Sequence, residues 1–232
     1  MPHVKKVPEK FIFGALVLFS SLVTAGGFLA KGSLYWDTGK IFTQFRDNLD
    51  SLNRFGEIAW WFPHTLYGFP GYYHSILGIP SSSSPMAGLL GLAVWALGKA
   101  GVHIQSYHAI YVFYFGFLIP FFFLLAFRSV LRHFFRSVWV IYFALVLAAF
   151  SPGISFNLSD VGYLEPQIYC LFFVSAYLGF LRSPTRQHFW VMGLAISLLG
   201  ISANHAFLYF NILFLPLLVL MTFKRLKTVA PQ

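Results

Sequence analysis

Long runs of apolar residues, separated by short polar segments, occupy most of the chain. Four of these runs approach the ~20 residues that an α-helix needs to cross ~30 Å of hydrocarbon. They lie at residues 11–30, 107–127, 138–156 and 164–181. We therefore predict a transmembrane helix at each of these four positions.

A fifth apolar run, at residues 189–222, is too long for one span. Its 34 residues would extend ~51 Å as a single helix at ~1.5 Å per residue, and the polar sequence Ser202-Ala203-Asn204-His205 interrupts it. We predict two short helices, 189–201 and 206–222, that meet at this polar break. Non-helical backbone at membrane depth must be covered by protein or water.

The shorter apolar run at 85–98 determines the predicted topology. If it lies along the membrane surface, 11 of the 16 basic residues fall on one side of the membrane and five on the other. If it crosses the bilayer, only four basic residues remain inside, against the usual cytoplasmic excess of lysine and arginine. We therefore predict six spans in a plasma membrane, both termini in the cytoplasm, and a long outer segment at 31–106.

Composition supports the membrane class and limits the partners. The chain is 58% hydrophobic and 10% charged, whereas a soluble domain carries about a quarter charged residues. The net charge of +9 follows from the predicted orientation, so the lipid bilayer is the expected partner and no nucleic acid is required. Cys170 is the single cysteine, which excludes an intrachain disulfide and a cysteine metal site.

The outer segment contains its own predicted elements. Asp37 or Thr38 can cap an amphipathic helix at 38–55, and Gly56 follows it where a helix terminator is expected. The run at 85–98 is the second interfacial helix. Between the two helices lie aromatic residues suited to the headgroup level, with proline and glycine turns: Trp60, Trp61, Tyr67, Tyr72, Tyr73, Pro63, Pro70, Gly68 and Gly71.

The order of these features resembles the first outer loop of the GT-C class of membrane glycosyltransferases. The matching sequence is Trp36-Asp37 after the first span, a helix with Gln44 and Phe45, then G-x-x-x-W-W-x-P and Y-G-x-P within 56–70. Bacterial YfhO-like membrane proteins and the membrane proteins labelled 6-pyruvoyl-tetrahydropterin-synthase-related are similar. The resemblance covers the whole chain in topology and residues 36–71 in motif. It implies an all-α integral membrane protein with a GT-C-like fold.

The resemblance also implies a reaction and roles for particular residues. Members of this class transfer a sugar from a polyprenyl-phosphate donor on the outer membrane face. Asp37 matches the acidic residue of their first outer loop, and the resemblance implies that its carboxylate acts as the general base. No cofactor is certain. A divalent cation, if present, would be held by Asp37, Asp160 and Glu165. The other candidate substrate-binding residues are Lys40, Arg46 and Arg54 for the phosphate, Trp60, Trp61 and Tyr72 for the sugar or lipid, and His64, Asp160, Glu165, Asn204 and His205 as polar ligands.

Each of these roles has a structural alternative. Asp37 can act only as a helix cap, and Asp160 can cap the helix that begins near Gly162. Glu165 lies before Pro166 in a first helical turn, where an acid suits the helix dipole. Asn204 and His205 either hydrogen-bond between helices or belong to a site.

The chain is also shorter than the relatives that it resembles, which carry further spans. Three expectations follow: a fragment of a longer product, a split enzyme whose second membrane subunit supplies the missing spans, or a non-catalytic membrane scaffold derived from the same fold. A transporter ranks third in function, after the enzyme and the scaffold, because the sequence has no internal repeat.

Overall fold

The computed structural model describes residues 8–31, 46–47, 49–56, 61–62, 69–70, 85–102, 104, 107–150, 161–202 and 220. This part of the chain is predominantly helical. Its helices are α1 (Glu9–Lys31), α2 (Pro85–Lys99), α3 (Tyr107–Phe113), α4 (Ile119–Phe134), α5 (Val138–Ala149), α6 (Val161–Arg182) and α7 (Arg186–Ser202). The predicted all-α class is confirmed at this level.

Helices α3 and α4 form one continuous helix through a π-helical turn at Tyr114–Leu118. In this turn the backbone N–H of Ile119 donates to the carbonyl of Tyr114, five residues earlier. Pro120 follows at once, and proline in an α-helix has no N–H to donate and crowds the carbonyl four residues before it. The wider turn accommodates that proline without breaking the helix.

The helices pack around one main apolar cluster. The cluster contains Leu16 and Val17 of α1, Phe115 of the π turn, Leu124 of α4 and Leu145 of α5. The most extensive packing is between α6 and α7 and between α4 and α6. Gly179 of α6 permits the first of these contacts, since a Cβ atom there would lie 2.6 Å from the Nε2 atom of His188.

One helical stretch in the described residues is long and apolar enough to cross a membrane. It is Tyr114–Phe134, with 21 residues and a mean hydropathy of 1.9. Half of its most apolar 18-residue stretch is buried inside the bundle. Leu89–Lys99 and Val138–Ala149 are shorter apolar helices. The helix predicted at 107–127 extends about two turns further, to Phe134. Arg128 and Arg132 lie in these added turns, where both donate hydrogen bonds to Glu9.

Three other predicted spans agree with helices in position. Those at 11–30, 164–181 and 189–201 correspond to α1, α6 and α7, with ends that differ by one to three residues. The span predicted at 138–156 is wrong in its length. Helix α5 ends at Ala149 after 12 residues, about 18 Å, and the sequence has a proline, which commonly follows a helix end, three residues later. The helix predicted at 206–222 lies outside the described residues except at Leu220, which is helical.

Both predicted interfacial helices have counterparts in the structure. Residues 46–47 and 49–55 are helical within the helix predicted at 38–55, and Gly56 ends it with a left-handed φ of 72°. Asp47 in this helix is buried, and so are Leu49 and Leu52. The helix predicted at 85–98 is α2.

The helix ends form two opposite ends of the bundle, which we name by their chemistry. The basic end contains the start of α1, the end of α4, the start of α5, the end of α6 and the start of α7. There Glu9 accepts 2.6 Å hydrogen bonds from the Nη2 atoms of Arg128 and Arg132, and the Tyr142 hydroxyl donates to the Glu9 carbonyl. The carboxylate end contains the starts of α2 and α6 and the π turn.

The Glu9 contacts predict a specific dependence of stability on pH. Hydrogen bonds from Arg128, then from Arg132, hold the pKa of Glu9 below its ordinary value of 4.5. A lowered pKa in the folded state stabilises the protein above the ordinary pKa, and this stabilisation disappears as the pH falls through the lowered value. We expect Glu9→Gln to cost about 1 kcal/mol at pH 7. We expect the cost to shrink below pH 4.5.

Melting temperatures of wild type, Glu9→Gln and the neighbouring control Lys10→Gln, measured from pH 7 to pH 3 in one detergent, check this expectation. A Glu9→Gln deficit that stays constant down to pH 3 would show that the carboxylate charge is not what binds α1 to α4.

Candidate functional site

Glu165 is the buried acid at the carboxylate end. It lies in the second turn of α6 and has no solvent exposure. A carboxylate removed from water is strongly unfavourable unless other donors replace the water. Its surroundings therefore indicate what holds this end of the bundle together.

Three donors from three parts of the chain converge on this carboxylate. The backbone N–H of Met86 donates to Oε1 at 2.7 Å, and the Tyr114 hydroxyl donates to Oε2 at 2.8 Å. The Tyr169 hydroxyl also donates to Oε1. Both tyrosines are buried. The carboxylate thus joins α2, the π turn and α6.

Local sequence explains why these donors reach the same point. Tyr169 follows Glu165 by four residues, so the two side chains lie on the same face of α6. Met86 is the second residue of α2, where backbone N–H groups have no partner within the helix and an anion is favourable. Tyr114 begins the π turn, whose edge-to-face contact between Tyr114 and Phe115 fixes the tyrosine ring, with centroids 4.8 Å apart.

The arrangement restricts what Glu165 can do chemically. A carboxylate has about four acceptor positions, and the three named donors use most of them. Its hydrogen bonds are to groups of the protein itself. Glu165 therefore acts as a structural acceptor that fixes the start of α2, as its contacts show.

Two of the predicted phosphate-binding residues are described. Arg46 is half-buried, with its Nη2 atom 4.0 Å from Oδ1 of the buried Asp47, whereas Arg54 is exposed in the last turn before Gly56. The 4.0 Å distance is a weak ion pair that leaves the guanidinium partly in solvent.

The remaining predicted site residues stay untested. Asp37, the predicted base, lies outside the described residues, and so do seven others: Lys40, Trp60, His64, Tyr72, Asp160, Asn204 and His205. Only the backbone of Trp61 is described. Within the described ranges, no group of three or more histidine, cysteine or acidic side chains could hold a metal ion. The predicted cation site of Asp37, Asp160 and Glu165 remains a prediction.

The two halves of the outer-loop motif are paired. The backbone strands Trp61–Phe62 and Phe69–Pro70 form a two-residue antiparallel ladder, with Trp61 opposite Pro70 and Phe62 opposite Phe69. These residues belong to the W-W-x-P and Y-G-x-P sequences. The all-α prediction did not include this ladder.

Sequence reasoning missed the partners of Glu165 and of Glu9. The Glu165–Tyr169 spacing of four residues was a visible signal for one hydrogen bond. A second signal was available for Glu9, the one acid of seven on the predicted cytoplasmic side, where it is surrounded by cations. No sequence signal could place Met86 or Tyr114, which are 79 and 51 residues from Glu165.

Comparison with protein-family models, with curated proteins and with solved structures gives no match to this chain. The GT-C resemblance thus depends on the residues of the outer loop and on the order of the helices.

Proposed function

We propose that the chain is a six-span plasma-membrane protein with both termini in the cytoplasm. The candidate span Tyr114–Phe134 supports membrane insertion, and the grouping of arginines at one end of the bundle supports the orientation. In this orientation the basic end faces the cytoplasm. The carboxylate end then faces outward.

We infer that this protein is a GT-C-like glycosyltransferase, or the N-terminal part of one. The observation that carries the proposal is the attachment of residues 32–84 at the carboxylate end. These residues begin after Lys31, at the end of α1 opposite to Glu9, and their far end is fixed where Met86 binds Glu165. The segment that carries Asp37 is therefore tied at both ends to the outer side of the proposed membrane.

In the proposed reaction, a hydroxyl oxygen of the acceptor attacks the anomeric carbon of a polyprenyl-phosphate sugar. The bond from that carbon to the phosphate oxygen breaks, and the lipid phosphate leaves with its electron pair. Asp37 takes the proton of the hydroxyl as general base. Lys40, Arg46 and Arg54 balance the charge of the departing phosphate, and Trp60, Trp61, His64 and Tyr72 contact the sugar and lipid.

Further roles in the proposal belong to the neighbouring outer segments. Asp160, Asn204 and His205 orient the acceptor, and a divalent cation would be held by Asp37 and Asp160. A second membrane subunit would supply spans that the resembling proteins carry. Glu165 positions α2 in this scheme, and its contacts with Tyr114 and Tyr169 leave it little capacity for a substrate.

The second candidate function is a non-catalytic membrane scaffold or assembly subunit. The engagement of Glu165 with the protein's own donors favours it. The one described acid among the proposed site residues serves to join helices, which is what a scaffold requires.

Asp37→Asn separates the two functions, because asparagine keeps the size and capping ability of aspartate but cannot accept the proton. If the enzyme proposal is right, a deletion strain that produces Asp37→Asn will show the same altered profile of envelope glycans by mass spectrometry as the empty strain. The control Asp50→Asn, on the same outer segment, will restore the wild-type profile.

Immunoblots of membrane fractions must show equal amounts of all three proteins. If Asp37→Asn restores the wild-type glycan profile, the enzyme proposal is contradicted. Restoration together with stable co-purification of a larger membrane protein would establish the scaffold function instead.

A further inference from the structure

Arginine and tryptophan recur together at two short turns of the basic end. Between α4 and α5, Arg136 is followed three residues later by Trp139. After the turn between α6 and α7, Arg186 is the first residue of α7, and Trp190 lies four residues later on the same face of that helix. Arg136 lies in the turn before α5, and Trp139 is the second residue of α5. Each turn therefore presents a cation near an amphipathic aromatic ring.

These tryptophans are not core residues. Trp139 is 78% exposed and Trp190 is 71% exposed, and both arginines are exposed as well. Further aromatic side chains at the same end are also exposed: Phe11, Phe134, Phe135 and Phe189. Large apolar rings are rarely left in water in such a group unless something apolar covers them.

The two turns lie next to each other. An Nη2 atom of Arg182, at the end of α6, donates to the carbonyl of His133, at the end of α4. Helices α4 and α6 also pack extensively along their length. The turns at 135–137 and 183–185 therefore form one surface, which we name the Arg–Trp surface.

This surface carries a strong positive charge. The described cations of the basic end are Lys10, Arg128, Arg132, Arg136, Arg182 and Arg186, and Glu9 is the one acid among the described residues at this end. Six positive charges against one negative charge leave +5. Arg128 and Arg132 both donate hydrogen bonds to Glu9. Arg136 and Arg186 are the exposed cations beside the tryptophans.

We propose that the Arg–Trp surface binds the headgroups of anionic glycerophospholipids in the cytoplasmic leaflet. A guanidinium can form two parallel hydrogen bonds to a phosphate, and tryptophan prefers the headgroup level of a bilayer. The exposed phenylalanines extend into the acyl region beside it. Each basic residue near such a surface strengthens attraction to anionic lipid by about 1 kcal/mol, which corresponds to about fivefold in affinity.

A membrane accounts for both the exposed arginines and the exposed aromatic rings of this surface. A soluble phosphate compound would account for the arginines but would leave the tryptophans and phenylalanines in water. The inference rests on the proposed membrane orientation and is independent of glycosyl transfer, because every residue in it lies at the end opposite to Glu165.

The test is lipid binding by the full-length protein, measured by native mass spectrometry in micelles with phosphatidylglycerol or phosphatidylcholine. The variants are Arg136→Gln with Arg186→Gln, the same pair to lysine, and Trp139→Leu with Trp190→Leu. Lys31→Gln with Lys99→Gln removes two charges from the outer side and is the matched control. Soluble glycerol phosphate is the competitor that separates a lipid site from a free phosphate site.

We expect the double glutamine variant to bind phosphatidylglycerol about 25-fold more weakly than wild type, at about fivefold per arginine, with no change for phosphatidylcholine. The lysine pair and the outer control should stay within a few-fold of wild type. The lysine pair keeps the charge, so its retained binding shows that the glutamine effect is not misfolding. The variant with Trp139→Leu and Trp190→Leu should bind both lipids more weakly than wild type.

Three results would overturn the proposal: equal binding of both lipids by wild type, unchanged phosphatidylglycerol binding by the double glutamine variant, and full competition by millimolar glycerol phosphate. Ser137→Cys tests the orientation separately, since the introduced thiol should react with an impermeant maleimide only after the membranes are opened. Labelling of intact cells there would contradict the orientation. Failure of Asp37→Asn to abolish activity would contradict only the enzyme proposal.

Discussion

Glu165→Ala is expected to destabilise the protein by about 3 to 5 kcal/mol, one of the two largest single-substitution effects that the structure suggests. Removing the carboxylate leaves the Met86 N–H and the hydroxyls of Tyr114 and Tyr169 buried without this acceptor. Each orphaned donor costs about 1 to 3 kcal/mol, although small rearrangements recover part of that cost. The loss should be concentrated where α2 meets the bundle.

A graded series tests whether the hydrogen bonds cause this loss. Tyr114→Phe and Tyr169→Phe each remove one donor and keep the ring, so each should cost about 1 to 2 kcal/mol. Glu165→Gln should cost more than either tyrosine variant. Its amide keeps one acceptor oxygen but directs an NH₂ group at donors that need an acceptor.

Two measurements separate a local effect from general destabilisation. Unfolding in mixed micelles gives the rank order of the series, and amide hydrogen exchange reports directly on the Met86 N–H. Gln167→Ala is the control, because Gln167 is exposed two residues along the same helix. Unchanged protection of the Met86 amide in Glu165→Ala would refute the role assigned to this carboxylate.

The sequence predicted the helices better than it predicted their contacts. Apolar runs located α1, α6 and α7 to within three residues, because helix length and burial both follow from continuous hydrophobicity. The end of α5 was missed because the apolar run continues beyond Ala149, although Pro152 is a sequence signal for a nearby helix end. The π turn was missed although Pro120 lies inside the apolar run.

Contacts between distant segments could not be predicted in the same way. Hydropathy gives the face of a helix but not the rotation of one helix against another, so Tyr114 and Met86 could not be assigned to Glu165. The charge count was more informative at the opposite end. It grouped Arg128, Arg132 and Arg182 on one side, and the structure places these arginines together through their contacts with Glu9 and His133.

Phe115 and Phe117 provide the second large effect, in a matched pair. They lie two residues apart in the same π turn, but Phe115 is 1% exposed within the main apolar cluster and Phe117 is 37% exposed. Hydropathy gives both residues the same score. In the structure the Phe115 ring packs inside the main apolar cluster, whereas the Phe117 ring lies partly on the outside of the bundle.

We expect Phe115→Ala to cost about 3 to 5 kcal/mol, because it leaves a cavity between the π turn and α1. Phe117→Ala should cost less than about 1 kcal/mol, since its ring is partly outside the bundle. Unfolding of the two variants in the same micelles is the measurement. Equal losses would mean that the π turn is not oriented as the structure has it.

The two large effects should also be coupled. The Phe115 ring contacts Tyr114 edge to face, and Tyr114 in turn donates to Glu165. Phe115→Ala frees the tyrosine ring and weakens its hydrogen bond before Glu165 is altered. In a double-mutant cycle, Phe115→Ala with Glu165→Ala should therefore cost at least 0.5 kcal/mol less than the sum of the single losses. The pair Phe117→Ala with Glu165→Ala should be additive, and additivity in both pairs would exclude a link from the main cluster through Tyr114 to the carboxylate.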